Sequence, residues 1–150
     1  MIAASLLAFL HFAAVFVVFG TVFFEWLTLG PAPTLQEARR LQWADRLYGI
    51  AAGVVIVAGV FRVVRFEKGW AFYSVSPFFY VKMGLFLVVG LLSIYPTIRF
   101  IRWGAQTKRG SAPVLADGEY RRLALTLRLE LLLLFAVALS ASLMARAVGL

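Results

Sequence analysis

The chain has 150 residues, of which 63% are hydrophobic and only 15% charged, with a mean hydropathy of +0.90. Soluble domains sit near half apolar and a quarter charged, so this composition excludes one and defines a membrane protein of a single domain, residues 1–150. Having no cysteine excludes disulfides, thiolate metal sites and iron–sulfur clusters, and a single histidine excludes a multi-histidine cage within one chain. The net charge of +8 is carried mainly by connecting segments, where membrane lipid phosphates rather than nucleic acid are the expected counter-charge.

The first predicted element is an apolar run from Ile2 to Leu29 whose only ionisable side chains are His11 and Glu25. It is long enough to cross a hydrocarbon core of about 30 Å with some tilt. No Lys or Arg precedes it and it exceeds a signal-peptide core, so it reads as a retained span. Gly30, Pro31 and Pro33 break the helix, and Thr34-Leu35-Gln36-Glu37 has the spacing of a capping box. A short amphipathic helix carrying Arg39, Arg40, Asp45 and Arg46 is expected at the membrane surface. The second span begins at Leu47 and ends near Arg62 and Arg65, which can snorkel to the interface. Phe66 to Pro77 leaves the bilayer, with Trp70, Phe72 and Tyr73 suited to an interfacial belt. Pro77 opens the third span, Phe78 to Trp103, in which Pro96 is expected to cause a kink. A polar connector, Gly104 to Arg122, leads to the fourth span, Leu123 to Val148. The fold class is therefore all-α, an integral membrane four-helix up-down bundle with spans at about 2–29, 47–65, 78–103 and 123–148.

Basic residues are distributed ten to five in favour of the side bearing the first and third connectors. The positive-inside rule then puts both termini outside the cytoplasm, which in a bacterial inner membrane is the periplasmic side.

An ionisable residue inside a span is costly unless paired or solvated, so it marks function by default. His11 lies about 14 Å into the first helix, close to mid-bilayer. A neutral imidazole there is suited to ligating haem iron, and is equally suited to hydrogen bonding a neighbouring helix. Lys82 starts from the same side but is only about 6 Å in, so the two meet if the first and third helices are neighbours. Arg62 and Arg65 are placed to pair with the propionates of a porphyrin near His11, or with lipid headgroups. Tyr80 and Trp70 would line the mouth of such a pocket. Glu25, Asp45 and Glu130 form a second polar set among Arg46, Arg99, Arg102 and Arg128, expected to be a neutralised interhelical network. Gly49-x-x-x-Gly53, Ala14, Gly84 and Gly90 permit close helix contact.

His11, Arg62 and Arg65 followed by Lys68-Gly69-Trp70, and Phe79-Tyr80-Val81-Lys82-Met83-Gly84-Leu85 opening the third span, resemble a family of small bacterial inner-membrane proteins of unknown function. More distantly the layout resembles the HemJ-type protoporphyrinogen oxidases and the CopD-type copper-resistance membrane domains. The HemJ likeness implies b-type haem bound through His11 with Lys82 taking part, and a haem-dependent oxidoreductase activity; where that family carries a histidine two residues before the lysine, this chain has Tyr80. Three readings follow. One is a membrane protein binding haem b or a related tetrapyrrole through His11, with Lys82, Arg62, Arg65 and Tyr80 about the pocket. A second is a non-catalytic accessory subunit of a larger membrane complex. The third is copper handling, for which Met1, Met83 and Met144 offer few soft ligands. One histidine per chain makes a bis-histidine haem a property of a homo-oligomer.

Overall fold

The computed structural model describes residues 2–66 and 69–146, and is helical throughout apart from turns. Lys68, and the fourth span from residue 147 to its expected end at Val148, lie outside the described residues. Four long helices, α1 (Ile2–Thr28), α2 (Leu35–Phe61), α4 (Pro77–Arg102) and α6 (Asp117–Ala145), are each long and apolar enough to span a membrane. Two short helices, α3 (Trp70–Ser74) and α5 (Gly104–Lys108), lie in the second and third connections.

The helix boundaries follow from local chemistry. The capping box forms as the spacing predicts: Glu37 N–H donates to Thr34 Oγ1 at 3.1 Å, and Thr34 N–H donates to Glu37 Oε2 at 2.8 Å. This satisfies two backbone donors that a helix start otherwise leaves open. Pro77 occupies the first turn of α4, where its missing N–H costs nothing. Pro96 lies inside α4, buried, and α-helix is maintained on both sides of it. Gly69, at φ 78°, supplies the left-handed backbone from which α3 starts.

Two expected boundaries are corrected. The surface helix and the second span are one continuous helix from Leu35, and the fourth helix starts at Asp117 instead of Leu123. On α2 the polar turns that read as interfacial carry a buried stripe, Ala38, Leu41, Ala44 and Asp45. On α6 residues 117–122 carry no buried side chain and simply extend the helix beyond the packed stripe that begins at Leu123 and Leu127. At its other end α2 runs into a π-helical turn, Arg62–Phe66, which no pattern in the sequence announced.

The helices pack as two antiparallel pairs of chain neighbours, α1 with α2 and α4 with α6. The pairs meet where α1 touches α6 and, more lightly, where α2 touches α4. In this up-down ring α1 and α4 stand on a diagonal and nowhere bring Cα atoms within 8 Å of each other. We call the end with Ile2, α3 and Ala145 the terminal end, and the other the connector end. The main core fills the connector half: Val18 and Val22, Leu41 and Tyr48, Val89 and Phe100, and Leu123 and Leu127. A smaller cluster of Tyr73, Phe79 and Met144 closes the terminal end beneath α3. Spans in lipid are held by close packing and polar contacts rather than by water exclusion, so an uneven core distributes stability unevenly.

The glycines sharpen this picture. A Cβ added at Gly49, Gly53, Gly84 or Gly90 would meet nothing within 4 Å, so the Gly49-x-x-x-Gly53 motif makes no close contact among the described residues. Gly59 does: a Cβ there would sit 3.3 Å from His11 Cε1 and 3.6 Å from Nδ1.

Candidate functional site

Two polar sites lie on one face of α1. His11, Ala14, Val18, Val22 and Glu25 recur at three- and four-residue steps, and from Ala14 onward this face is the buried one. His11 occupies it near the terminal end and Glu25 near the connector end.

At the first site the His11 ring lies against Gly59 and its Nδ1 is 3.1 Å from the carbonyl oxygen of Val55, one turn earlier on α2. A carbonyl only accepts, so this bond assigns the proton to Nδ1 and the in-plane lone pair to Nε2. The side chain is half-buried. Its neighbour Phe12 meets it edge to face at 5.9 Å between centroids and carries the Arg62 guanidinium 4.9 Å above its ring. The π-helical turn therefore delivers Arg62 to the same end of the α1–α2 pair as His11, while Arg65 is exposed on that turn.

Lys82 and Tyr80 belong to a different neighbourhood. Both sit on α4, across the diagonal from α1. Lys82 Nζ lies 5.3 Å from the Phe79 ring centroid. Tyr80 is exposed and donates its hydroxyl to the Ser74 carbonyl at 3.0 Å, tying α3 to α4, and Trp70 packs edge-on against Phe79. The structure thus brings His11 and Arg62 together and leaves Lys82 and Tyr80 with the aromatic cluster. Sequence reasoning missed Val55 and Gly59. Both are apolar or featureless in sequence, and only the crossing of α1 and α2 gives them a role.

At the second site Glu25, Asp45 and Glu130 are all buried, on α1, α2 and α6, and interact electrostatically with one another. Asp45 Oδ1 accepts the Thr97 hydroxyl at 2.6 Å, linking α2 to α4, and also feels the Arg46 charge. Glu25 Oε1 and Glu130 Oε1 are buried with no hydrogen-bond partner among the described residues. The expected arginine network is therefore corrected in part. Arg99 donates its Nε at 2.7 Å to Glu119, and the two form an ion pair, but Glu119 is not one of the three buried carboxylates. Arginine needs an exposed route for its head, and the connector-end surface supplies one while the packed interior does not. Among the described residues no three His, Cys, Asp or Glu side chains come together as a metal-ligand set.

Four long apolar helices in an up-down ring, with isolated ionisable groups facing inward, define a polytopic α-helical membrane protein. Residues 3–149 match the family model described as predicted membrane protein (DUF2214), and the chain belongs to that family. No curated protein and no solved structure matches the chain.

Proposed function

We propose that this membrane protein binds haem b or a related tetrapyrrole through His11, in a bacterial inner membrane with both termini periplasmic. The observation that carries the reading is the Nδ1 bond to the Val55 carbonyl. An axial histidine generally donates its other ring N–H to a carbonyl or carboxylate, which fixes the tautomer, orients the ring and raises the basicity of the ligating nitrogen. His11 has that arrangement, and Gly59, having no Cβ, leaves room for its ring against α2. An imidazole and a guanidinium are groups that suit an iron porphyrin: His11 would hold the iron through Nε2, and Arg62 would pair with the propionates.

When bound, the iron would supply redox or oxygen chemistry, and the chain's own part is to hold the ring and the propionates. Lys82 and Tyr80, across the diagonal, serve the aromatic cap of the terminal end in this reading, and any further ligand would come from another donor or a second protomer. The distant resemblance of the layout to HemJ-type proteins supports the same reading.

The test is the absorption spectrum of the purified protein in detergent, before and after haem addition. A Soret band abolished in His11→Ala, with helicity unchanged, is the expected result. No band in either state overturns the haem reading and favours an accessory subunit, and a band unchanged in His11→Ala overturns the ligand assignment.

A further inference from the structure

At the connector end, two depressions of about 290 Å³ each lie side by side on α2 and share one wall, the indole of Trp43. They differ completely in chemistry. The first is lined by Arg39, Arg46 and Lys108 with Gln42 and Thr107, and no carboxylate contributes to it. Its floor is fixed: Thr107 Oγ1 donates to Gln42 Oε1 at 3.1 Å, Gln42 Nε2 donates to the Phe100 carbonyl at 2.7 Å, and Arg39 donates to the Thr107 carbonyl at 2.9 Å. The second runs between α1 and α2 and is apolar, lined by Gly20, Phe24, Ala44 and Leu47, with Thr21 the one neutral polar group and Arg40 the one cation. The space beside Gly20 is open, and even a Cβ added there would meet nothing within 4 Å.

The two faces follow from helix geometry. Residues 39, 42, 43 and 46 form one stripe of α2 and residues 40, 43, 44 and 47 the next, with Trp43 common to both. Three cations over a fixed polar floor suit a phosphate, and the apolar groove beside them suits a hydrocarbon chain. The two together suit a molecule that has both in that order. Trp43 is two-thirds exposed, as an indole at the level of lipid headgroups is expected to be.

We propose that this paired site binds one anionic phospholipid, its phosphate among Arg39, Arg46 and Lys108, and an acyl chain along the α1–α2 groove beneath Arg40. Basic pockets between spans are a recurrent means of holding anionic headgroups, and each cation near the membrane surface contributes about 1 kcal/mol. That is roughly a fivefold change in affinity per charge.

The experiment uses the full chain, delipidated in a neutral detergent, with binding read by native mass spectrometry and by quenching of tryptophan fluorescence with brominated acyl chains. The probes are long-chain phosphatidylglycerol, the same lipid with six-carbon chains, long-chain phosphatidylcholine and inorganic phosphate. The variant Arg40→Gln/Arg46→Gln/Lys108→Gln keeps Arg39, whose bond to Thr107 secures α5. The expected order is long-chain phosphatidylglycerol, then its short-chain form, then inorganic phosphate, with phosphatidylcholine well below phosphatidylglycerol of equal chain length. The triple variant should bind long-chain phosphatidylglycerol roughly a hundredfold more weakly, with unchanged circular dichroism. Quenching should fall sharply in Trp43→Phe, although Trp26, Trp70 and Trp103 remain. Equal affinity for the two long-chain lipids overturns the proposal, as does a triple variant that retains the preference. Inorganic phosphate binding as tightly as the long-chain lipid would make the basic pocket a free-anion site and overturn the lipid assignment.

Discussion

Replacing either unpartnered buried glutamate by leucine is expected to stabilise the protein. Glu130 is 2% exposed and Glu25 is 3% exposed, and each has one carboxyl oxygen buried with nothing to bond it. A buried polar group left unsatisfied costs about 1–3 kcal/mol, and leucine is apolar and of similar size. Glu130→Leu should therefore raise the free energy of unfolding by about 1–3 kcal/mol, and Glu25→Leu by a comparable amount. The two glutamates interact, so the double variant should depart from the sum of the single ones. Asp45 is the internal control. Its carboxylate is engaged by the Thr97 hydroxyl, so Asp45→Leu should destabilise, leaving that hydroxyl without its acceptor. The assay is reversible unfolding in mixed micelles titrated with a denaturing detergent, followed by far-ultraviolet circular dichroism. The refuting result has the opposite sign. If the glutamates were neutralised by arginines, breaking a buried pair would cost about 3–5 kcal/mol, and either single leucine variant losing that much would refute the reasoning.

Three further outcomes are expected. Gly59→Ala should be close to neutral, the gain in helix propensity offsetting a small displacement of the His11 ring. Gly59→Leu should cost about 1–3 kcal/mol through overpacking, while Gly49→Leu, facing open space, should cost little; the same unfolding titration ranks them. Thr97→Val should cost about 0.6 kcal/mol, the average for interhelical hydrogen bonds in lipid, and at most about 1.7, and Thr97→Ser should restore most of it. With no native cysteine to interfere, single cysteines at Ser111 and Ser74 should react with an impermeant maleimide from opposite sides of inverted and right-side-out vesicles; Ser111 is expected on the cytoplasmic side, and the reverse would overturn the orientation.

Much of the fold was legible because its strongest signals are local. The four spans, the capping box at Thr34 and the proline at the start of α4 are each written within a few consecutive residues. The surface helix was misread because Arg39, Arg40 and Arg46 dominate the composition of that stretch. The buried stripe of Ala38, Leu41, Ala44 and Asp45 is visible only when the residues are projected onto α2. The site was legible in its members and not in its pairings. His11 stands out as the lone histidine, but that it meets Val55 and Gly59 of α2 depends on which helices share an edge of the ring. Ring order is a tertiary property that hydropathy does not encode. The same limit applies to Glu130, whose neighbour in sequence, Arg128, is exposed instead of turned inward.

Each of the two strong helix pairs, α1 with α2 and α4 with α6, joins spans consecutive along the chain. During synthesis a hairpin of this kind can complete its internal contacts as soon as its second helix has entered the bilayer, without waiting for the rest of the polypeptide. Loop closure is then confined to short stretches, and the later step is a docking of two preformed halves. The cut between those halves lies in the segment between the π-helical turn and α3. A chain divided there and expressed as two polypeptides should still insert and reassemble in the membrane.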